Sequence, residues 1–440
     1  MTVGEAMGVA VRCHQSGRLA EAEAIYRQVL SAEPRHAEAL HLLGLIACQS
    51  GKNDIGAGLI GQAIAVTPEN AEYHGNLGLA LARQGRNEDA VAAYRRAIAL
   101  QPEYPAAHSN LGNSLCDLGR LDEAVAAFRQ AIACNPAYAE AHYNLGNALC
   151  RAGDLAGAIA AYHAAIALNP AYAAAHCNLG LALARDSRSE EAIAAYRNAI
   201  RISPDFAEAY NNMGNALNSL CRLIEAADAF EKAIRLRPDC CELLTNLAGI
   251  LTAQGRPGEA IAIYRKVLRV RPDSASSHSD LIFTLHYLPD VTPADLLMEV
   301  RKWNQLHAAP LARFRAPHTN DRSPDRRLRI GYVSADLRDH VVGRTLLPCF
   351  EAHDRAQFEL VCYSGTTLTD PIAARFRRGS AIWRETTFVS DEALAAQIRE
   401  DRIDILVDLS LHSGHNRLLA FARKPAPVQI SWLGYPGSAG

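Results

Sequence analysis

The chain has 440 residues, 45 Lys and Arg against 47 Asp and Glu, and 49% apolar residues. The length allows two to four domains with packed cores, and a formal charge of -2 gives no global drive toward nucleic acid or an anionic membrane. No apolar run is long enough and charge-free enough for a transmembrane helix, and the N-terminus lacks a basic stretch followed by an apolar core, so no secretory leader is expected. The eleven cysteines form no CxxC pair and no zinc spacing. They read as small packing residues of a cytoplasmic protein, with no metal and no cofactor expected.

Prolines fall at Pro34, Pro68, Pro102, Pro136, Pro170, Pro204, Pro238 and Pro272, an unbroken interval of 34 residues. Within each interval a small residue (Gly44, Gly78, Gly112 and their equivalents) precedes a large one (Ile60, Tyr94, Phe128) by 16 positions. A further small residue, such as Ala90 or Ala124, stands four before the large one. This predicts two helices per unit: the small residue lets the second helix approach the first, and Ala and aromatic share one face. Gly17, Gly51, Gly85, Gly119, Gly153 and Gly255 are expected to end first helices, and each proline to stop a second helix. Units that cannot bury their faces alone stack into a solenoid. The pattern resembles the tetratricopeptide repeat and covers residues 3–274 as eight units, of which the second is the most divergent.

Asn76, Asn110, Asn144, Asn178, Asn212 and Asn246 occupy one position in six successive units, and Asp280 follows them. An amide both donates and accepts, so such a ladder can hold a peptide backbone with little sequence preference. Six rungs about 10 Å apart span roughly 50 Å, the length of some 15 residues of extended chain. The alternative is that the amides bond between neighbouring repeats.

Residues 275–327 read as a partial ninth repeat and a linker, with Pro293–His307 helical and 309–327 a solvated, Arg-rich connection. From 328 the pattern alternates between strand and helix. Strands are expected at 329–334, 358–364, 381–385, 403–410 and 428–434, and helices at 345–353, 370–378, 391–402 and 416–422. Short apolar strands separated by helices imply a parallel α/β sheet, and ligands of such sheets bind beyond the strands' carboxyl ends. Three polar loops fall there: 335–343 with Asp336, Asp339 and His340, 411–416 with His412, His415 and Asn416, and the glycine-rich 435–440.

The ladder, together with LRIGYVSADLRDHVVG and APVQISWLGYPGSAG, resembles the protein O-linked N-acetylglucosamine transferase family, its bacterial branch above all. The resemblance implies an α-solenoid followed by the Rossmann-like half of a two-lobed glycosyltransferase, with residues 328–440 as the N-terminal catalytic lobe. It implies transfer of GlcNAc from UDP-GlcNAc to Ser or Thr of proteins, with the repeats holding the polypeptide acceptor and neither nucleic acid nor membrane as partner. His340 matches the family's histidine after the first strand, Asp336 its neighbouring aspartate, and His278 a second histidine at the repeat junction; these are the expected catalytic residues. Gly434, Tyr435, Pro436 and Gly437 match the family's GYPG motif, which with His412 and Asn416 lines the expected cleft. Leu411 stands where many bacterial members have Gly. The chain ends before the family's second lobe, so a truncated and inactive form is expected. Two alternatives remain open: a non-catalytic repeat scaffold, and a transferase using another nucleotide sugar such as GDP-fucose.

Overall fold

The computed structural model describes residues 2–433, and the chain divides into two compact units at Leu220 and Cys221, between the helices of the seventh repeat. From Val3 to Val270 the described residues form sixteen α-helices, two per 34-residue interval. The small-to-large pairing explains their approach. A Cβ on Gly78, Gly112, Gly146 or Gly180 would lie 2.6–2.7 Å from the ring of Tyr94, Phe128, Tyr162 or Tyr196, so only glycine admits the ring. Each ring is fully buried, worth about 1.5–3 kcal/mol apiece. In the divergent second repeat Gly44 packs on Ile60, and Gly56 makes room for the Cys48 sulfur.

All six predicted capping glycines have φ between 74° and 89°. The same place in the remaining two repeats is held by Ser187 at φ 62° and Cys221 at φ 57°. The turn is therefore left-handed in every unit, with or without the glycine that favours it.

In the second unit, helices Ala275–Leu285 and Pro293–Trp303 continue the repeat pattern, and the chain then passes through a widened turn, Asn304–Ala308, and a short helix, Ala309–Phe314. Five parallel strands follow: β1 (Leu328–Ser334), β2 (Phe358–Ser364), β3 (Ile382–Glu385), β4 (Ile405–Asp408) and β5 (Val428–Ser431). Their order in the sheet is β3-β2-β1-β4-β5. Alternation along each strand feeds two cores. Ile330, Tyr332, Leu360 and Cys362 pack with Phe350 and Phe376 of helices Val341–Ala352 and Pro371–Gly379. Val333, Val361 and Tyr363 pack with Leu394, Ile398 and Ala420 of helices Asp391–Glu400 and Leu418–Ala422. Helices on both faces are what a parallel sheet requires. The edge strand β5 leaves Val428 and Ile430 about half exposed.

The expected solvated linker is exposed along most of 309–327, and Asn320 and Arg326 strap it to the sheet. Asn320 Nδ2 donates to Asp404 Oδ1 at 2.7 Å, and both terminal nitrogens of Arg326 grip the Asp404 carboxylate at 2.5 and 2.7 Å. The Arg329 backbone N–H adds a bond to the same group at 2.9 Å. Burial alone would raise the Asp404 pKa, but the bonds from Arg326, Arg329 and Asn320 hold it below the usual range. Further on, Arg315 Nε donates to the Ala422 carbonyl and Arg399 to that of Ala316. One arginine of this stretch, Arg326, with the Asn320 amide and a backbone N–H, supplies the donors that the buried Asp404 carboxylate needs. The ninth repeat is likewise fused to the sheet, since Ile282, Val300, Trp303 and Ala308 share a core with Leu418.

Candidate functional site

The β1 loop is shaped by backbone contacts. Ser334 Oγ accepts from the Asp336 N–H at 2.9 Å, and Gly343 lies so close to the Arg338 and Asp336 carbonyls that a Cβ would collide with both. His340 caps helix Val341–Ala352: its Nδ1 accepts from the Val342 N–H at 3.3 Å, and Asp336 Oδ2 lies 3.7 Å from the same nitrogen. With Nδ1 accepting, the proton of a neutral ring sits on Nε2, and the side chain is 38% exposed. His340 thus presents an N–H donor to the solvent side. A base role for Nε2 requires Nδ1–H to turn toward Asp336. Asp339 is held by Arg344 and donates its N–H to Asp370 at 2.7 Å.

The β4 loop is organised by Asp408, whose carboxylate accepts from the backbone N–H groups of Ser410 and Leu411 and from Ser431 Oγ at 3.0–3.1 Å. Burial pushes this carboxyl above the usual carboxylate range, against those three bonds. Leu411 takes φ 49° and His415 φ 57°. The position where a glycine was expected is therefore left-handed here with leucine in it, at a cost of roughly 1–2 kcal/mol. His412 is fully buried against Trp303, with ring centroids 4.8 Å apart, and its Nδ1 lies 3.0 Å from Ser279 Oγ. Its Nε2 has no hydrogen-bond partner among the described residues. Burial, then the His278 and His286 charges, lower its pKa to about 4, so the ring is neutral near pH 7.

His278 is enclosed. Its Nε2 donates to Glu299 Oε1 at 2.8 Å, and its Nδ1 shares a hydrogen bond with His307 Nε2 at 3.1 Å. Both ring nitrogens are occupied, and the side chain is 1% exposed. The His278 bond, with Lys302 3.3 Å away, holds Glu299 below the usual carboxylate range. Of the expected catalytic residues, His340 and Asp336 stand together on the β1 loop; His278 is joined to Glu299 and His307 instead.

A cavity of about 670 Å³ brings Asp280, the last ladder position, together with His415 and Asn416 of the β4 loop, beside Asp273, Trp303 and Asp391. Desolvation raises the Asp280 pKa to about 6. Asn416 accepts from the Leu418 N–H at 3.4 Å and donates to the Ser413 carbonyl at 3.0 Å. Asn246 lines a recess of about 300 Å³ with Thr245, Arg271 and Ser277. Gly434, Tyr435, Pro436 and Gly437 lie outside the described residues.

In the first unit the ladder positions are all half-buried, but unequal. Asn76 Nδ2 donates to His41 Nε2 at 2.9 Å, Asn178 Nδ2 to Tyr143 and Asn147, and Asn212 Nδ2 to the Cys177 sulfur at 3.9 Å. Those three bond to the preceding repeat, as the alternative reading held. Asn110 and Asn144 make no hydrogen bond through their side chains among the described residues. Sequence reasoning missed Glu299, His307, Ser279 and Trp303. None of them sits at a repeated position, and only the folded contacts join them to the histidines.

Comparison with known proteins matches three stretches of the chain. Residues 292–440 match Glycosyl transferase family 41, residues 15–54 the Tetratricopeptide repeat, and residues 71–280 the cilia and flagella-associated protein 70 C-terminal domain. A probable UDP-N-acetylglucosamine–peptide N-acetylglucosaminyltransferase SPINDLY of Petunia hybrida is 36% identical over 28% of this chain and 13% of its own length. The protein of that name from Oryza sativa subsp. japonica is 30% identical over 38% of this chain and 18% of its own length. The matched stretches thus span less than a fifth of those curated relatives. A solved structure, an O-GlcNAc transferase mutant of Thermobaculum terrenum, is 37% identical with a TM-score of 0.55, over 59% of this chain and 50% of that one. The chain is therefore a helical repeat protein of tetratricopeptide type whose residues 292–440 are similar to glycosyl transferase family 41.

Proposed function

We propose that the protein is a glycosyltransferase that moves N-acetylglucosamine from UDP-GlcNAc to Ser or Thr hydroxyls of polypeptides, which the asparagine ladder holds in extended form. The observation that carries this reading is the β1 loop. In a region similar to family 41, a parallel sheet presents a half-exposed His340 beside Asp336 at the carboxyl end of its central strand. Transfer breaks the bond from the anomeric carbon to the diphosphate while the hydroxyl oxygen attacks, so negative charge builds on the leaving group, and the hydroxyl proton passes to that diphosphate or to a side-chain base. In this reading His340 Nε2–H donates to an oxygen of the bound substrates, supported by its exposure and by Nδ1 accepting from Val342. If it is the base instead, Asp336 must take Nδ1–H and balance the imidazolium. His278, with both nitrogens engaged, acts in this reading by holding the repeat junction.

The test is mass spectrometry of a Ser/Thr peptide incubated with the product of the complete reading frame and either UDP-GlcNAc or GDP-fucose. Addition of N-acetylhexosamine supports the proposal, addition of deoxyhexose moves the donor, and no addition from either leaves a repeat scaffold. His340→Ala should lower transfer by about two orders of magnitude. His340→Gln, which keeps a donor, should retain more activity than Ala if Nε2 donates, and no more than Ala if it is the base.

A further inference from the structure

We propose that a groove between helices Pro257–Val270, Ala275–Leu285 and Pro293–Trp303 binds a phosphate monoester dianion. The groove has a volume of about 560 Å³, with Arg265, Arg269 and Lys302 on its walls, Leu268 and Leu281 beneath them, and Glu299 as its carboxylate. Arg265 and Arg269 lie one turn apart on one helix face, both exposed. Neither has a hydrogen-bond or ion-pair partner among the described residues.

The same repeat position is paired in some units and open in others: Arg129 makes no hydrogen bond or ion pair among the described residues. Arg95, five repeats earlier, pairs with Glu123 of the following repeat at 2.9 Å. The residue placed after Arg265 as Glu123 is after Arg95 is Pro293. The nearby acid, Asp295, is spent on Thr292, accepting from its N–H and its hydroxyl. Glu299 is spent as well, since one of its oxygens accepts from both His278 and Lys302.

Three cations against one carboxylate leave two positive charges, which match a phosphate monoester above its second pKa of about 6. Two guanidinium forks suit its three oxygens, and Lys302 adds a point charge. A carboxylate offers half the charge and one oxygen fewer. The apolar floor suits the methylene of a phosphorylated side chain, and free inorganic phosphate shares the same chemistry.

The experiment is calorimetric titration of the full chain with inorganic phosphate and with a short phosphoserine peptide, its serine form and its glutamate form. Both phosphate carriers should bind, the serine form should not compete, and Arg265→Ala with Arg269→Ala should weaken binding at least tenfold. Both side chains are exposed, so the circular dichroism of this double variant should be unchanged. Binding should also shift the ring ¹⁵N signals of His278 as Lys302 moves off Glu299. Equal affinity for phosphate and phosphopeptide identifies the free ion as occupant, and a tenfold preference for the peptide identifies the modified side chain. Equal binding of the serine or glutamate peptide, or an undiminished affinity in the double variant, overturns the proposal.

Discussion

Asp280 ends the row of ladder amides with a carboxylate, and its replacement by Asn has a calculable effect. Desolvation holds its folded pKa at about 6, against about 3.9 in an unfolded chain. Below pH 4 the group is protonated in both states and contributes no difference. Between pH 4 and 6 the folded state keeps a proton that the unfolded state has lost, so stability falls as pH rises; above pH 6 the full penalty stands. Two pKa units correspond to about 3 kcal/mol, and solvent in the adjoining cavity screens part of it, leaving roughly 1–3 kcal/mol. Asp280→Asn removes the charge at nearly constant shape. The assay is urea denaturation of both proteins between pH 4 and 8, followed by circular dichroism. The variant should match the wild type at pH 4 and exceed it by that amount at pH 7.5. A difference independent of pH, or a less stable variant at pH 7.5, would refute the burial argument.

Ser187→Gly and Cys221→Gly should each add about 1 kcal/mol by relieving a left-handed backbone, and Gly85→Ala should lose a similar amount; thermal denaturation measures all three. Gly146→Ala should cost about 1–3 kcal/mol, because the new methyl meets the Tyr162 ring, and the effect should shrink when Tyr162 is also replaced by Leu. Asp404→Ala should free the strap and speed tryptic cleavage within 315–327 by at least about tenfold, a measure of local opening.

The repeat array was legible because one period carries it. The proline interval and the small-to-large spacing located all sixteen helices, and apolar runs located the five strands. What the pattern could not show was geometry without its usual residue: Ser187, Cys221 and Leu411 adopt backbones that glycine normally marks. The exposed linker was legible, but its tie to the sheet was not, because Asp404 lies about 80 residues away in sequence. The candidate site was legible only as residue types on loops, since His340, Asp336, His412 and Asn416 follow strand ends. Their states were not. That His278 has no free nitrogen depends on Glu299 and His307, and that His412 is sealed depends on Trp303.

The ladder's inequality gives the most direct test of the claim that the repeats hold extended polypeptide. Asn110 and Asn144 leave their amides open, whereas Asn178 spends both N–H groups on Tyr143 and Asn147. The measurement is the dissociation constant of an unstructured Ser/Thr-rich peptide for the wild type and for Asn110→Ala with Asn144→Ala, at matched helicity. At about 0.5–1.5 kcal/mol per hydrogen bond, and with two or more bonds lost, the account predicts at least about fivefold weaker binding with unchanged thermal stability. Unchanged peptide affinity, or a variant that loses stability instead, would contradict it and leave the amides as links between repeats.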